Sequence, residues 1–189
     1  LLVQSVMYAR NGQTLPEPVR ARMGRLLGVF VAASLYLVAV YHLTNLYFAR
    51  QSAFEAFVLL GRGDDSGIFP ALFWGGYVLV GAVLPMILLF LPRGAGQKSM
   101  LAASVLVVAG AFAFLFVFIV GGQSFPLEIF PGHQVSSSFA DGAVELYRPR
   151  WPEWLLGFGG VGAAFLLTAI GIRALDFLPQ DDFPAAAND

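Results

Sequence analysis

The sequence predicts an all-α integral membrane protein: an antiparallel up-and-down four-helix transmembrane bundle preceded by the end of a truncated helix. Three observations carry the prediction. Of the 189 residues, 58% are hydrophobic and only 12% charged, far from the composition of a water-soluble domain. Four apolar stretches, Leu26 to Ala49, Phe69 to Leu91, Met100 to Val120 and Trp154 to Leu175, reach the length of about 20 residues that crosses a bilayer, and only the last has a charged residue within it, Arg173 near its end. The connection Pro92 to Ser99 is so short that the second and third spans must be antiparallel neighbours.

Residues 1–25 read as the end of a truncated helix and a cytoplasmic loop, because Leu1 to Ala9 reach only about 14 Å as a helix, roughly half the hydrocarbon core. The bundle then occupies 26–175. Its first outer connection runs from Arg50 to Ile68, its second and longer one covers 121–153, and an acidic tail fills 176–189. Counting positive charge on alternate sides places Arg10, Arg20, Arg22, Arg25, Arg93, Lys98 and Arg173 together, against Arg50, Arg62, Arg148 and Arg150. The richer side is expected in the cytoplasm, which makes a multi-pass protein of the bacterial cytoplasmic (inner) membrane the expected setting.

Within the spans, Ala102, Ala103, Ser104, Ala109, Gly110 and Ala111, and later Gly157, Gly159, Gly160 and Gly162, are small residues that let helix backbones approach in lipid. Phe112, Phe114, Phe116 and Phe118 are expected to face lipid. Pro85 removes one backbone hydrogen bond and is expected to bend the second span.

Composition also excludes chemistry. A net charge of -1 and a single lysine, Lys98, leave no basic tract for a nucleic acid. Without cysteine the chain cannot ligate an iron–sulfur cluster. Its two histidines, His42 inside a span and His133 in a Pro/Gly-rich segment, do not form a facing pair for haem, so no haem or iron–sulfur cluster is expected on this chain. No phosphate loop, zinc spacing or nucleophile elbow occurs.

The best internal site candidate is Tyr41-His42-Leu43-Thr44-Asn45. His42 and Asn45 are three apart and Tyr41 and Asn45 four apart, so a helix brings all three toward one face. Polar groups at such depth tend to face a bundle interior or water. An imidazole there can hydrogen-bond a quinone carbonyl or exchange a proton; its alternative is a structural histidine satisfied by a neighbouring helix. Glu128, set among Phe and Pro, is a second candidate for carrying protons or anchoring a partner. Glu153 follows Pro152 and is expected in the first turn of the last helix, where its charge suits the helix dipole. Trp151 and Trp154 suit the membrane interface.

The run Gly121-Gly122-Gln123-Ser124-Phe125-Pro126-Leu127-Glu128-Ile129-Phe130-Pro131-Gly132, then Tyr147-x-Pro149 and a glycine-rich helix ending Gly171-Ile172-Arg173-Ala174-Leu175, resembles the C-terminal half of the NrfD/PsrC (polysulfide reductase membrane subunit) family. Tyr41 to Leu60 and Phe73-Trp74 through Leu84-Pro85 are similar to the helices before it. The resemblance implies a haem-free subunit of a respiratory complex that exchanges electrons and protons between menaquinone or ubiquinone and a ferredoxin-like iron–sulfur subunit. It also implies that the main quinone site lies in a preceding bundle, so no family quinone ligand is carried onto this chain. The expected working residues are therefore those of this chain itself: His42 and Glu128, with Tyr41 and Asn45 as quinone contacts or proton path. The rival expectations are a non-catalytic anchor for redox subunits and half of a transporter; a broken-helix midplane site would mark the latter.

Overall fold

The computed structural model describes residues 1–3, 5, 8, 16–48, 51–62, 67–90, 96–126, 144, 147 and 149–175. The described residues are helical apart from caps and short turns, and four helices are long and apolar enough to cross a membrane. We label them with the short helix between the first two: α1 Glu17–Tyr47, α2 Ser52–Leu60, α3 Ala71–Phe90, α4 Gln97–Ser124 and α5 Trp151–Leu175. Two compact units result, Leu1–Tyr147 and Arg148–Asp189, the second containing α5.

Helix α1 starts where Pro16 and Pro18 preset the backbone and Glu17 meets the positive end of the dipole. It therefore carries Arg20, Arg22 and Arg25 on helix rather than loop, with Arg20 ion-paired to Glu17. Its end is set at Phe48, which turns extended while its N–H still reaches Thr44 O at 3.2 Å.

Helices α1, α3 and α4 run up, down and up. The start of α1 meets the end of α3, since a Cβ on Gly28 would lie 2.6 Å from the Phe90 ring. The end of α1 meets the start of α3 through His42 and Phe73, whose ring centroids are 4.9 Å apart. Between α3 and α4 the closest approach is backbone on backbone: a Cβ on Gly110 would lie 2.1 Å from Gly81 Cα, and one on Gly76 would lie 2.8 Å from Ala113 Cβ. Small residues thus replace the hydrophobic drive that lipid does not provide. Gly110, Ala103 and Ser104 are buried in this seam as expected, while Ala102, Ala109 and Ala111 are exposed.

Helix α3 is wound in the wider i→i+5 register over Ala71–Val83 and returns to ordinary α register at Leu84–Phe90. The change falls beside Pro85, which is buried and has no N–H to give to either ladder. A second stretch of the same wide register, Val117–Gly121, lies in α4. Such turns are rare and recur at functional sites.

The Arg50 to Ile68 connection is not merely a loop. It holds α2, whose 9 residues are too few to be stable alone. Burial of Phe57 and Val58 holds it in place, together with Phe69, Phe73, Tyr77 and Val117. Gly61 closes α2 with φ 69°, its N–H and that of Arg62 both reaching Ala56 O, a left-handed cap that glycine takes without strain. Trp74 Nε1 donates to Leu59 O at 3.0 Å, tying α2 to α3. Phe125, just past the end of α4, packs 5.5 Å from both Phe54 and Phe57, and Val144 also packs against this cluster.

The phenylalanines of α4 divide between two environments. Phe112 and Phe118 are exposed, as a lipid-facing reading expects. Phe114 and Phe116 are half-buried, Phe114 against Tyr77 at 4.7 Å and Phe116 against Phe69 at 6.2 Å. Alternation along a helix turns successive pairs by about 200°, so no single face holds all four. Around the unit, Phe30, Tyr36, Leu37 and Leu43 are each more than 60% exposed. An apolar shell of that extent suits lipid, not water. In α5, Glu153 Oε2 accepts from Arg150 N–H at 2.8 Å, the reach-back of a capping box, and the helix buries none of its apolar window within the described residues.

Candidate functional site

The polar centre forms where the C-terminal end of α1 crosses α2. His42 lies about 8 Å along the axis from Tyr47, the last residue of α1, and 8% exposed it is one of the few buried residues of that helix. Its Nδ1 is 2.6 Å from Glu55 Oε2. Asn45, one turn on, donates through Nδ2 to Glu55 Oε1 at 2.8 Å. Both carboxylate oxygens are therefore engaged, and Glu55 is fully buried, 0% exposed.

Helix α2 turns Glu55 inward beside Val58, three residues on, while Phe57 anchors the helix further round its buried arc. Charged groups withdrawn from water are costly unless paired and hydrogen-bonded. Among the described residues His42 is the one ion-pair partner of Glu55. The opposite end of α1 carries Arg20, Arg22 and Arg25, and Lys98 opens α4 at that same far end.

Around the imidazole the surroundings are aromatic. Tyr41 meets it edge-on at 5.1 Å and 76°, and Phe73 at 4.9 Å and 81°. Tyr41 also touches Phe118 at 5.8 Å. A recess with a volume of about 10 Å³ opens here, lined among others by Tyr41, His42, Phe73, Val117 and Phe118. It has room for no more than a single water. Phe73, Val117 and Phe118 all come from the wide-register turns of α3 and α4.

The sequence-derived candidates thus separate. His42 and Asn45 converge on one carboxylate, and Tyr41 supplies ring lining. Thr44 bonds back to Val40 O at 2.8 Å and is satisfied within its helix. Glu128 lies outside the described residues. Glu55 is the participant that sequence reasoning missed, because its segment reads as a connection between spans. A signal was present: Phe54, Phe57 and Val58 stand one, two and three positions away, the local pattern of a buried helix face. Among the described residues no group of three His, Cys, Asp or Glu is placed to hold a metal ion.

A multi-pass helical membrane protein with a buried acid–histidine pair near one end is the class this fold and site define. The chain belongs to the NrfD family, described as polysulphide reductase, NrfD, whose model matches residues 1–127. That match takes in α1 to α4 and ends inside the Gly121 to Gly132 run, before α5. A curated relative, the Hdr-like menaquinol oxidoreductase integral membrane subunit of Archaeoglobus fulgidus, is 28% identical over 154 residues. The aligned region is 71% of this chain and 39% of that relative, so the chain spans well under half the length of the protein it matches. No solved structure matches the chain.

Proposed function

We propose that this chain forms part of the membrane subunit of a respiratory oxidoreductase complex, exchanging electrons and protons between the membrane quinone pool and an iron–sulfur partner subunit. The observation that carries the reading is the His42–Glu55–Asn45 centre beside an aromatic recess, in a chain of the NrfD family that is also similar to a menaquinol oxidoreductase subunit. A bare anchor has no use for a carboxylate and an imidazole withdrawn from water, which the bundle must compensate.

The donor set fits a quinone headgroup. A quinone supplies two carbonyl oxygens that take up protons on reduction, and in this reading His42 hydrogen-bonds one of them while Tyr41 and Phe118 flank the ring. The recess is too small for a ring as it stands; Tyr41 and Phe118, its 40% and 49% exposed walls, would turn toward the hydrocarbon to admit one. Menaquinone is favoured over ubiquinone by the relative's substrate. The complex would sit in the cytoplasmic membrane, with the Arg20, Arg22, Arg25 and Lys98 end inward and the His42 centre toward the outer surface. Glu128 is the further candidate for proton passage from the outer segment.

The test is His42→Gln in the complete complex. Glutamine keeps an amide donor for Glu55, so the bundle should assemble, but it exchanges no proton. Quinol turnover should fall by roughly 100-fold or more. Turnover at the wild-type rate would favour the anchor.

A further inference from the structure

We propose that Glu55 and His42 act as one proton-donating unit, held net neutral at rest and presenting its exchangeable hydrogen at His42 Nε2. Where that hydrogen goes, to a quinone oxygen, rests on the function proposed above; how the unit is charged does not.

The derivation starts from the carboxylate. Glu55 is 0% exposed, and His42 is its one ion-pair partner among the described residues. Its remaining partner, the Asn45 amide, is neutral and donates to Oε1. The elements packed around the pair offer aromatic groups: Phe73 and Tyr77 from α3, Phe114 and Phe118 from α4, Tyr41 from α1 itself. The arginines of α1 and Lys98 lie at the other end of the helices. Arg62 lies just past the end of α2, its N–H on Ala56 O, but forms no ion pair with Glu55; among the described residues a lone negative charge here would therefore have no ion-pair partner, and low dielectric strongly disfavours that.

With Oε1 taken up as acceptor of the Asn45 amide, two proton arrangements leave the pair neutral. Either Glu55 is ionised and the imidazole carries hydrogen on both nitrogens, or the carboxyl donates Oε2–H to Nδ1 and the imidazole keeps hydrogen on Nε2. The 2.6 Å separation of Oε2 and Nδ1 suits a shared proton. In both arrangements Nε2 bears hydrogen and is a donor. The remaining arrangement, a bare Nε2 beside a carboxylate, is the charged one.

Proton delivery then balances as follows. The Nε2–H bond breaks and an O–H bond forms on the quinone oxygen, while electrons arrive from the iron–sulfur partner. The proton between Oε2 and Nδ1 settles on Nδ1, leaving Glu55 ionised and the imidazole neutral. Water at the nearer membrane surface restores the missing proton and supplies the second one that quinone reduction consumes. Quinol oxidation runs the same steps backward. Glu55 is thus a positioning residue: it touches no substrate and acts through the imidazole.

The experiment uses the complete complex in lipid nanodiscs, with histidine labelled by ¹⁵N in the ring. A difference spectrum against the His42→Gln variant of the same complex identifies the His42 resonances. Hydrogen on Nε2 at rest is expected, and a bare Nε2 with hydrogen on Nδ1 alone overturns the proposal. Glu55→Gln provides the second arm. Its amide oxygen can accept from Asn45 and its amide nitrogen can donate to Nδ1, so Nε2–H survives as a hydrogen-bond donor without the acidity of the pair. The expected result is an unchanged KM for quinone with kcat lowered by roughly 100-fold. An unchanged kcat in Glu55→Gln, alongside impaired His42→Gln, overturns this proposal and leaves the quinone function standing; unchanged turnover in both overturns the two together.

Discussion

Breaking the His42–Glu55 pair from one side should cost far more than removing it whole. With His42→Leu, the fully buried Glu55 keeps one neutral donor, Asn45 Nδ2 at 2.8 Å, and loses its counter-charge at 2.6 Å. A hydrogen bond to a charged group contributes about 1.5–3 kcal/mol, whereas an uncompensated buried charge costs about 3–5 kcal/mol. The single change should therefore destabilise by about 3–5 kcal/mol. Glu55→Leu leaves only neutral groups unpartnered, His42 Nδ1 and the Asn45 amide, at about 1–3 kcal/mol. The double change His42→Leu/Glu55→Leu places two aliphatic side chains among Phe73, Val58 and Val117 and should lie near the wild type or above it. Unfolding of the reconstituted protein by titrated detergent, followed by circular dichroism, yields the three differences. Their coupling should be about 4 kcal/mol or more, the sum of the two single costs that the double change does not show. If the costs of the two single changes simply add in the double variant, the buried-pair reasoning is wrong.

Gly110→Ala puts a methyl 2.1 Å from Gly81 Cα, against an ordinary carbon contact of about 3.5–4.0 Å; α3 and α4 must part, and the unfolding free energy should fall by about 1–3 kcal/mol. Gly61→Val forces a β-branched residue to φ 69°, at about 1–2 kcal/mol, and should expose the α2 junction to added protease; an unaltered digestion pattern would count against the cap. Trp74→Phe removes the donor to Leu59 O and should cost about 0.5–1.5 kcal/mol in the same unfolding assay. Alkaline washing should leave the chain in the membrane pellet, and its release into the supernatant would contradict the lipid setting of the exposed Phe30, Leu37 and Leu43 surface.

Much of the fold is legible in order along the chain because each span meets its own solvent. A segment such as Met100 to Val120 has to be helical in hydrocarbon, where every backbone N–H and C=O must be satisfied within the segment. Length and lack of charge suffice to find it. Glu153 was legible for a similar reason, since its reach back to Arg150 N–H is local. The glycines were legible as packing residues but not as partners: nothing in the order of residues pairs Gly110 with Gly81 rather than with any other small residue.

The functional centre divides in the same way. His42 stands out in the sequence because an ionisable group in an apolar run is expensive wherever it lies, and Asn45 follows from helical spacing. Glu55 does not stand out, because a carboxylate 13 residues from His42 looks like any other charge between two spans. Only the fold of α2 back onto α1, driven by burial of Phe57 and Val58, carries that carboxylate out of water and against the imidazole. What the sequence determined by itself is therefore what lipid imposes locally: helices, their number and their uncharged faces. Which polar groups meet, and hence what charge the centre holds, was decided by tertiary packing, because the energy of a buried ion depends on neighbours that the linear order does not bring near.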